Sequence, residues 1–121
     1  MKNKTITIGL VQQSRSKNLN SNLEETIKEI KESASLGAKI ICLQELFRSK
    51  YFCQTENLNA FKLSETIPGP TTEILSKISK ELEVVIIAPI FEKRTEGIYH
   101  NTAVIIDADG SIAGFYRKMH I

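Results

Sequence analysis

The chain has 121 residues, 41% of them hydrophobic and 25% charged, with a formal net charge of +2. That length holds one domain with one core, and the ordinary composition excludes a low-complexity or disordered chain. Near-balanced charge, with Lys and Arg interleaved with Glu along helical faces, offers no electrostatic basis for binding nucleic acid or an anionic membrane.

The basic start "MKNKTITIGLVQQ" has too short and broken an apolar stretch for a signal peptide, and no run approaches the length of a membrane span. Thr5 to Val11, "TITIGLV", alternates with Ile6, Ile8 and Leu10 on one face and predicts a first strand. After a polar loop, "SNLE" predicts a helix start: Ser21 caps and Glu24 reaches back to the backbone in a capping box. Leu23, Ile27, Ile30 and Ala34 form its apolar stripe, and Gly37 stands where a left-handed C-terminal cap belongs. "AKIICLQEL" predicts a second strand, apolar at successive positions from Ile40 to Leu43, which suggests burial on both faces and parallel pairing in a right-handed βαβ unit.

From Phe47 to Pro70 the pattern weakens into a connection long enough to point to function. "PGPTTEILSKISKELE" then predicts a second helix, with Gly69 as cap, Pro70 in the first turn, and Ile74, Leu75, Ile78 and Leu82 buried. "VVIIAPIFEK" is a third strand whose Pro89 belongs near its end or at a sheet edge, because proline donates no ladder hydrogen bond. The segment "HNTAVIIDADGSIAGFYRKMHI" predicts two antiparallel strands joined by a turn at Asp107 to Gly110. The predicted order is β-α-β-α-β-β-β, an α/β fold with a mixed sheet and both helices on one face.

Two charged residues do not fit a solvated surface. Glu45 follows a buried strand at its carboxyl end, the side where ligand sites gather in open α/β sheets, and Lys118 follows the last strand. If those strands lie close, each side chain favours the charged form of the other. Spacing alone leaves two readings open, an ion pair at the sheet rim or part of a site, and the ion pair is the commoner outcome. The two cysteines, Cys42 and Cys53, fit neither a zinc site nor a disulfide framework and are read as reduced thiols of a cytoplasmic protein. Cys42, three residues before Glu45, is expected on the opposite strand face, and Cys53 is expected to pack among aromatics. His100 and His120 are too few and too scattered for a metal site.

With these residues in view, the chain resembles the N-terminal part of the nitrilase superfamily of carbon–nitrogen hydrolases. The segments "ITIGLVQ", "GAKIICLQELF", "IPGPTTEILSKISKELEVVI" and "YHNTAVIIDADGSIAGFYRKMHI" carry the resemblance in order, and "QELF...YFCQ" resembles the N-carbamoylputrescine amidases within it. The resemblance implies half of a four-layer α-β-β-α sandwich, with 1–121 a partial domain truncated on its C-terminal side. It implies Glu45 as general base, Lys118 as oxyanion-stabilising residue, and a nucleophilic cysteine that falls beyond Lys118, so neither Cys42 nor Cys53 supplies it. The implied reaction is cleavage of a non-peptide C–N bond in a small amide or ureido substrate, such as N-carbamoylputrescine to putrescine, carbon dioxide and ammonia. No cofactor or metal is implied; a homo-oligomer is implied for the full-length form. Without the nucleophile this chain alone is expected to be inactive, with a sheet face and an edge uncovered. The alternative is a small non-catalytic α/β binding or subunit-interaction module. Among specificity loops, Arg48 to Asn59 is the first.

Overall fold

The computed structural model of the chain describes residues 4–120. It contains strands β1 (Ile8–Val11), β2 (Ile40–Leu43), β3 (Val85–Thr95), β4 (Ile98–Ile106) and β5 (Ile112–Arg117), and helices α1 (Leu19–Ser35) and α2 (Pro70–Leu82). One sheet holds all five strands in sequential order; β1, β2 and β3 are parallel, and β3, β4 and β5 antiparallel. The predicted element order and mixed sheet are therefore present. No helix is long and apolar enough to cross a membrane among the described residues.

The core lies between the helices and one sheet face. Ile41 of β2, Ile86 of β3, and Val104 and Ile106 of β4 meet Leu23 and Ile30 of α1 and Leu75 and Ile78 of α2. Each such side chain, removed from water, contributes roughly 1.5–3 kcal/mol. Register carries the other parity to the opposite face. Leu10 pairs with Cys42, Cys42 with Ile87 and Ile87 with Ile105, while Pro89 pairs with Ala103 and Ala103 with Tyr116. Neither helix covers this second face, and Ile8, Leu10, Ile105 and Tyr116 are exposed on it.

Several local expectations are corrected. Ile6, Ile8 and Leu10 do alternate, but the face they mark is the open one, and the paired strand begins only at Ile8. In β2, Ile41 and Leu43 are buried while Ile40 and Cys42 are half-buried, so burial is complete on the helix side only. Helix α1 starts earlier than "SNLE" suggests: Asn18 is the cap, its Oδ1 accepting from the Ser21 backbone N–H at 3.0 Å, which leaves Ser21 inside the first turn. Gly37, at φ +97°, follows the end of α1 as expected.

In α2 the cap at Gly69 and Pro70 in the first turn are as predicted, but Ile74 is exposed. One residue is a 100° rotation on a helix, so Ile74 lies off the stripe of Leu75, Ile78 and Leu82, and Thr71, Thr72 and Ser79 are buried beside that stripe instead. Pro89 lies mid-strand, not near an end. Pairing with β2 stops at Ile87, and the next bridge on that side joins Glu65 to Glu92, so Pro89 occupies a locally vacant edge.

Candidate active site

Glu45 sits in a turn two residues beyond β2. The two residues after it set its orientation. Leu46 adopts φ +50°, a conformation uncommon for a residue with a Cβ, and both Leu46 and Phe47 are buried. The turn is pinned from the neighbouring loop. Gln44 accepts from the Gln13 backbone N–H at 2.6 Å and donates to the Gln13 carbonyl at 2.8 Å. Arg15 Nε donates to the Phe47 carbonyl at 2.7 Å, and Asn22 Nδ2 to the Arg48 carbonyl at 2.9 Å. The Arg15 side chain is 2% exposed, bonded to Thr26 at 3.0 Å and ion-paired with Glu29 at 3.5 Å.

Lys118 follows β5 directly, and its backbone N–H donates to the Asn101 carbonyl at 2.9 Å, continuing the β4–β5 ladder by one step. Its Nζ donates to Glu45 Oε1 at 3.2 Å. Asn101 Nδ2 donates to the same Oε1 at 2.6 Å. The two residues singled out in the sequence are thus brought together, from strands separated by β3 and β4. Their side chains are 41% and 44% exposed, so the pair lies open to solvent on the uncovered side of the sheet. Hydrogen bonding to Glu45, then its negative charge, raises the Lys118 pKa above its ordinary value. Glu45 also raises that of Tyr51, with Cys53 adding and Lys118 opposing.

A cleft of about 420 Å³ beside the pair is lined by Gln13, Arg15, Gln44, Glu45, Lys50 and Tyr51, among others. A more apolar hollow of about 220 Å³, between Phe47, Phe52, Leu63 and Phe91, lies under the long connection and contains neither Glu45 nor Lys118. That connection includes a short 3-10 helix, Leu58–Leu63, which the sequence pattern did not signal. Phe52 stacks on Phe91 at 4.9 Å and Phe61 on Tyr99 at 4.5 Å between ring centroids. Phe91 pairs with Asn101 in register, so the connection folds over the sheet at the flank of the pair.

Both cysteine expectations change. Cys42 faces the open side, as Glu45 does, because the chain leaves strand geometry after Leu43 and alternation no longer applies. Cys53 is exposed rather than packed. Among the described residues, no three His, Cys, Asp or Glu side chains are grouped to hold a metal.

A more tightly bonded ion pair lies elsewhere. Arg117, next to Lys118, points to the opposite face and donates to Glu92 from Nε at 2.7 Å and from Nη2 at 2.9 Å. Glu92 also accepts from Thr102 at 2.8 Å and is 3% exposed. Sequence reasoning missed Arg15, Glu92 and Asn101. Only Asn101 carried a signal, a residue disfavoured in strands standing within "YHNTAVII".

A five-stranded mixed sheet with helices on one face defines a fold class, and comparison with known proteins agrees. The carbon–nitrogen hydrolase family profile matches residues 7–121, and the chain belongs to that family, within the nitrilase superfamily. It is 43% identical over 101 residues to an N-carbamoylputrescine amidase of Oryza sativa subsp. japonica, covering 83% of this chain and 33% of the rice protein. It is 38% identical to a citrullinase of Francisella tularensis, covering 96% of this chain and 41% of that protein. The crystal structure of a carbon–nitrogen hydrolase from Helicobacter pylori G27 superposes with a TM-score of 0.89 at 38% identity, over 96% of this chain and 40% of that one. The chain therefore spans about two-fifths of the length of these relatives or less.

Proposed function

We propose that this chain supplies the general base, Glu45, and the oxyanion-stabilising lysine, Lys118, of an amidase acting on a small ureido substrate. The observation that carries the reading is the 3.2 Å contact between Lys118 Nζ and Glu45 Oε1, made on the open sheet face beside a cleft. The nucleophile is a cysteine in the part of the enzyme corresponding to the relatives' remaining length. Glu45 takes the thiol proton, and the thiolate attacks the ureido carbonyl. Negative charge developing on the carbonyl oxygen is met by the Lys118 ammonium, whose raised pKa keeps it protonated. Ammonia leaves with the proton returned from Glu45. Glu45 then activates water, which splits the thioester-like intermediate and regenerates the thiol.

N-carbamoylputrescine is the favoured substrate, since the rice protein at 43% identity carries that name; the citrullinase likeness keeps the ureido group as the shared feature. The test is ammonia release from N-carbamoylputrescine and from citrulline by the enzyme containing this segment, and by the 121-residue chain alone. The expected result is turnover by the former and none by the latter. Glu45→Gln should lower kcat by about 10²–10⁴-fold and Lys118→Ala by about 10²–10³-fold. Release of ammonia by the Glu45→Gln variant at the parent rate would refute the assignment.

A further inference from the structure

We infer that Asn101 is a positioning residue that locks Glu45 and Lys118 to one another and selects the Glu45 oxygen that works as base. The inference rests on the proposed roles of those two residues. Asn101 is the one described residue bonded to both: its Nδ2 donates to Glu45 Oε1 at 2.6 Å, and its carbonyl accepts the Lys118 backbone N–H at 2.9 Å. It is 8% exposed in the middle of β4, held in register between Phe91 of β3 and the start of Lys118, so it cannot swing away as a surface amide would. β-Branched and apolar residues fill most of the rest of β4 after it, and an amide placed there would be costly without a partner.

The geometry is asymmetric. Asn101 Nδ2 and Lys118 Nζ both donate to Oε1, and Oε2 receives no hydrogen bond among the described residues. Oε1 is thereby committed to holding the pair together, and Oε2 is the oxygen left to accept a proton from a thiol or a water. An amide suits this task where a carboxylate does not. It donates to Glu45 without adding a second negative charge to a site that must hold an anionic base beside a cation. The backbone half of the clamp is indifferent to the side chain, so substitution at 101 tests the amide and leaves the ladder bond to Lys118 in place.

The experiment titrates Lys118 in the 121-residue chain by carbon-13 methylation of its lysines, with the Lys118 signal assigned by loss in Lys118→Arg. Removing the amide in Asn101→Ala frees Glu45 to rotate away, so the Lys118 midpoint should fall toward the ordinary lysine value. Asn101→Asp keeps the shape and adds a carboxylate, so the midpoint should rise above that of the parent chain. Opposite shifts are the result expected. Equal shifts in one direction, or none, would show Asn101 to be ordinary strand packing and overturn the inference. In the ammonia-releasing enzyme, Asn101→Ala should lower kcat by about 10- to 100-fold, as loss of a hydrogen bond to a charged group predicts, with KM nearly unchanged. If the parent enzyme releases no ammonia, the functional reading falls, while the two titrations still decide whether Asn101 clamps the pair.

Discussion

Glu92 and Glu45 each meet a cation from adjacent positions of one strand end, yet the two pairs do different work. Glu45 and Lys118 are both more than one-third exposed, where solvent screening leaves an ion pair little stabilising effect. Glu92 is buried, doubly bonded to Arg117 and bonded to Thr102, and spans β4 to tie β3 to β5. Hydrogen bonding from Arg117 leads in lowering its pKa below the ordinary 4.5, with burial opposing. A depressed folded-state pKa means the unfolded chain binds the proton more readily, so this stability is fully present above about pH 4.5. It is lost as pH falls through the lower folded value. Glu92→Gln should therefore destabilise the chain by about 2–4 kcal/mol at pH 7, on the order of 10 °C in melting temperature, and should flatten the loss between pH 5 and 3. Circular dichroism melts at both pH values check this; an unchanged acid slope would move the acid sensitivity to another carboxylate. At this scale the sequence displayed Glu45 and Lys118 because both interrupt apolar runs at strand ends. It hid Glu92 and Arg15, since a charge near a turn looks the same whether the chain folds it inward or leaves it in water.

Elements were legible wherever an apolar period runs long enough, as in α1, β3 and β4. Their ends were not, because polar side chains choose among several acceptable starts. "NLNSNLEE" offers caps at Asn18, Asn20 and Ser21, and the fold, which buries Leu23 in the core, takes Asn18. Asn18→Ala should accordingly cost about 1 kcal/mol, while Ser21→Ala should cost a few tenths at most. Thermal melts of the two variants distinguish the caps, and equal losses would restore Ser21 to the role its sequence suggests. Gly69 makes a sharper case at the start of α2. Its backbone is extended, which any residue tolerates, but a Cβ there would come within 2.2 Å of the Thr66 carbonyl oxygen. Gly69→Ala should force the chain before α2 to shift and lower the melting temperature by several degrees, an overpacking cost of about 1–3 kcal/mol. Because Thr71 and Arg48 meet Glu65 across the same junction, crosslinking or hydrogen exchange should show the disturbance reaching the loop after Glu45.

Helices cover the sheet on one side, and the long connection reaches only the flank of the other. Sheet order was legible because strands, helices and hairpins alternate in a way that leaves few connections open. The face each strand turns to the helices was not legible, and β1 is the instance: its regular alternation marks Ile8 and Leu10, and they point to solvent. The apolar residues of that face, Ile8, Leu10, Ile105 and Tyr116 among them, lie on one sheet face rather than scattered singly over the surface. In the 121-residue chain, water or another copy must meet it. The chain alone should therefore self-associate at micromolar concentration, and replacing Leu10 and Tyr116 by Lys should shift it toward smaller species without loss of far-ultraviolet circular dichroism. Both side chains are among the most exposed large residues of the chain, at 78% and 61%, so the substitutions remove association surface and spare the core. Sedimentation equilibrium reads the outcome directly. A parent chain that sediments as a monomer and unfolds in one sharp transition would show that the open face is tolerated in water, and that the two-layer unit stands on its own packing.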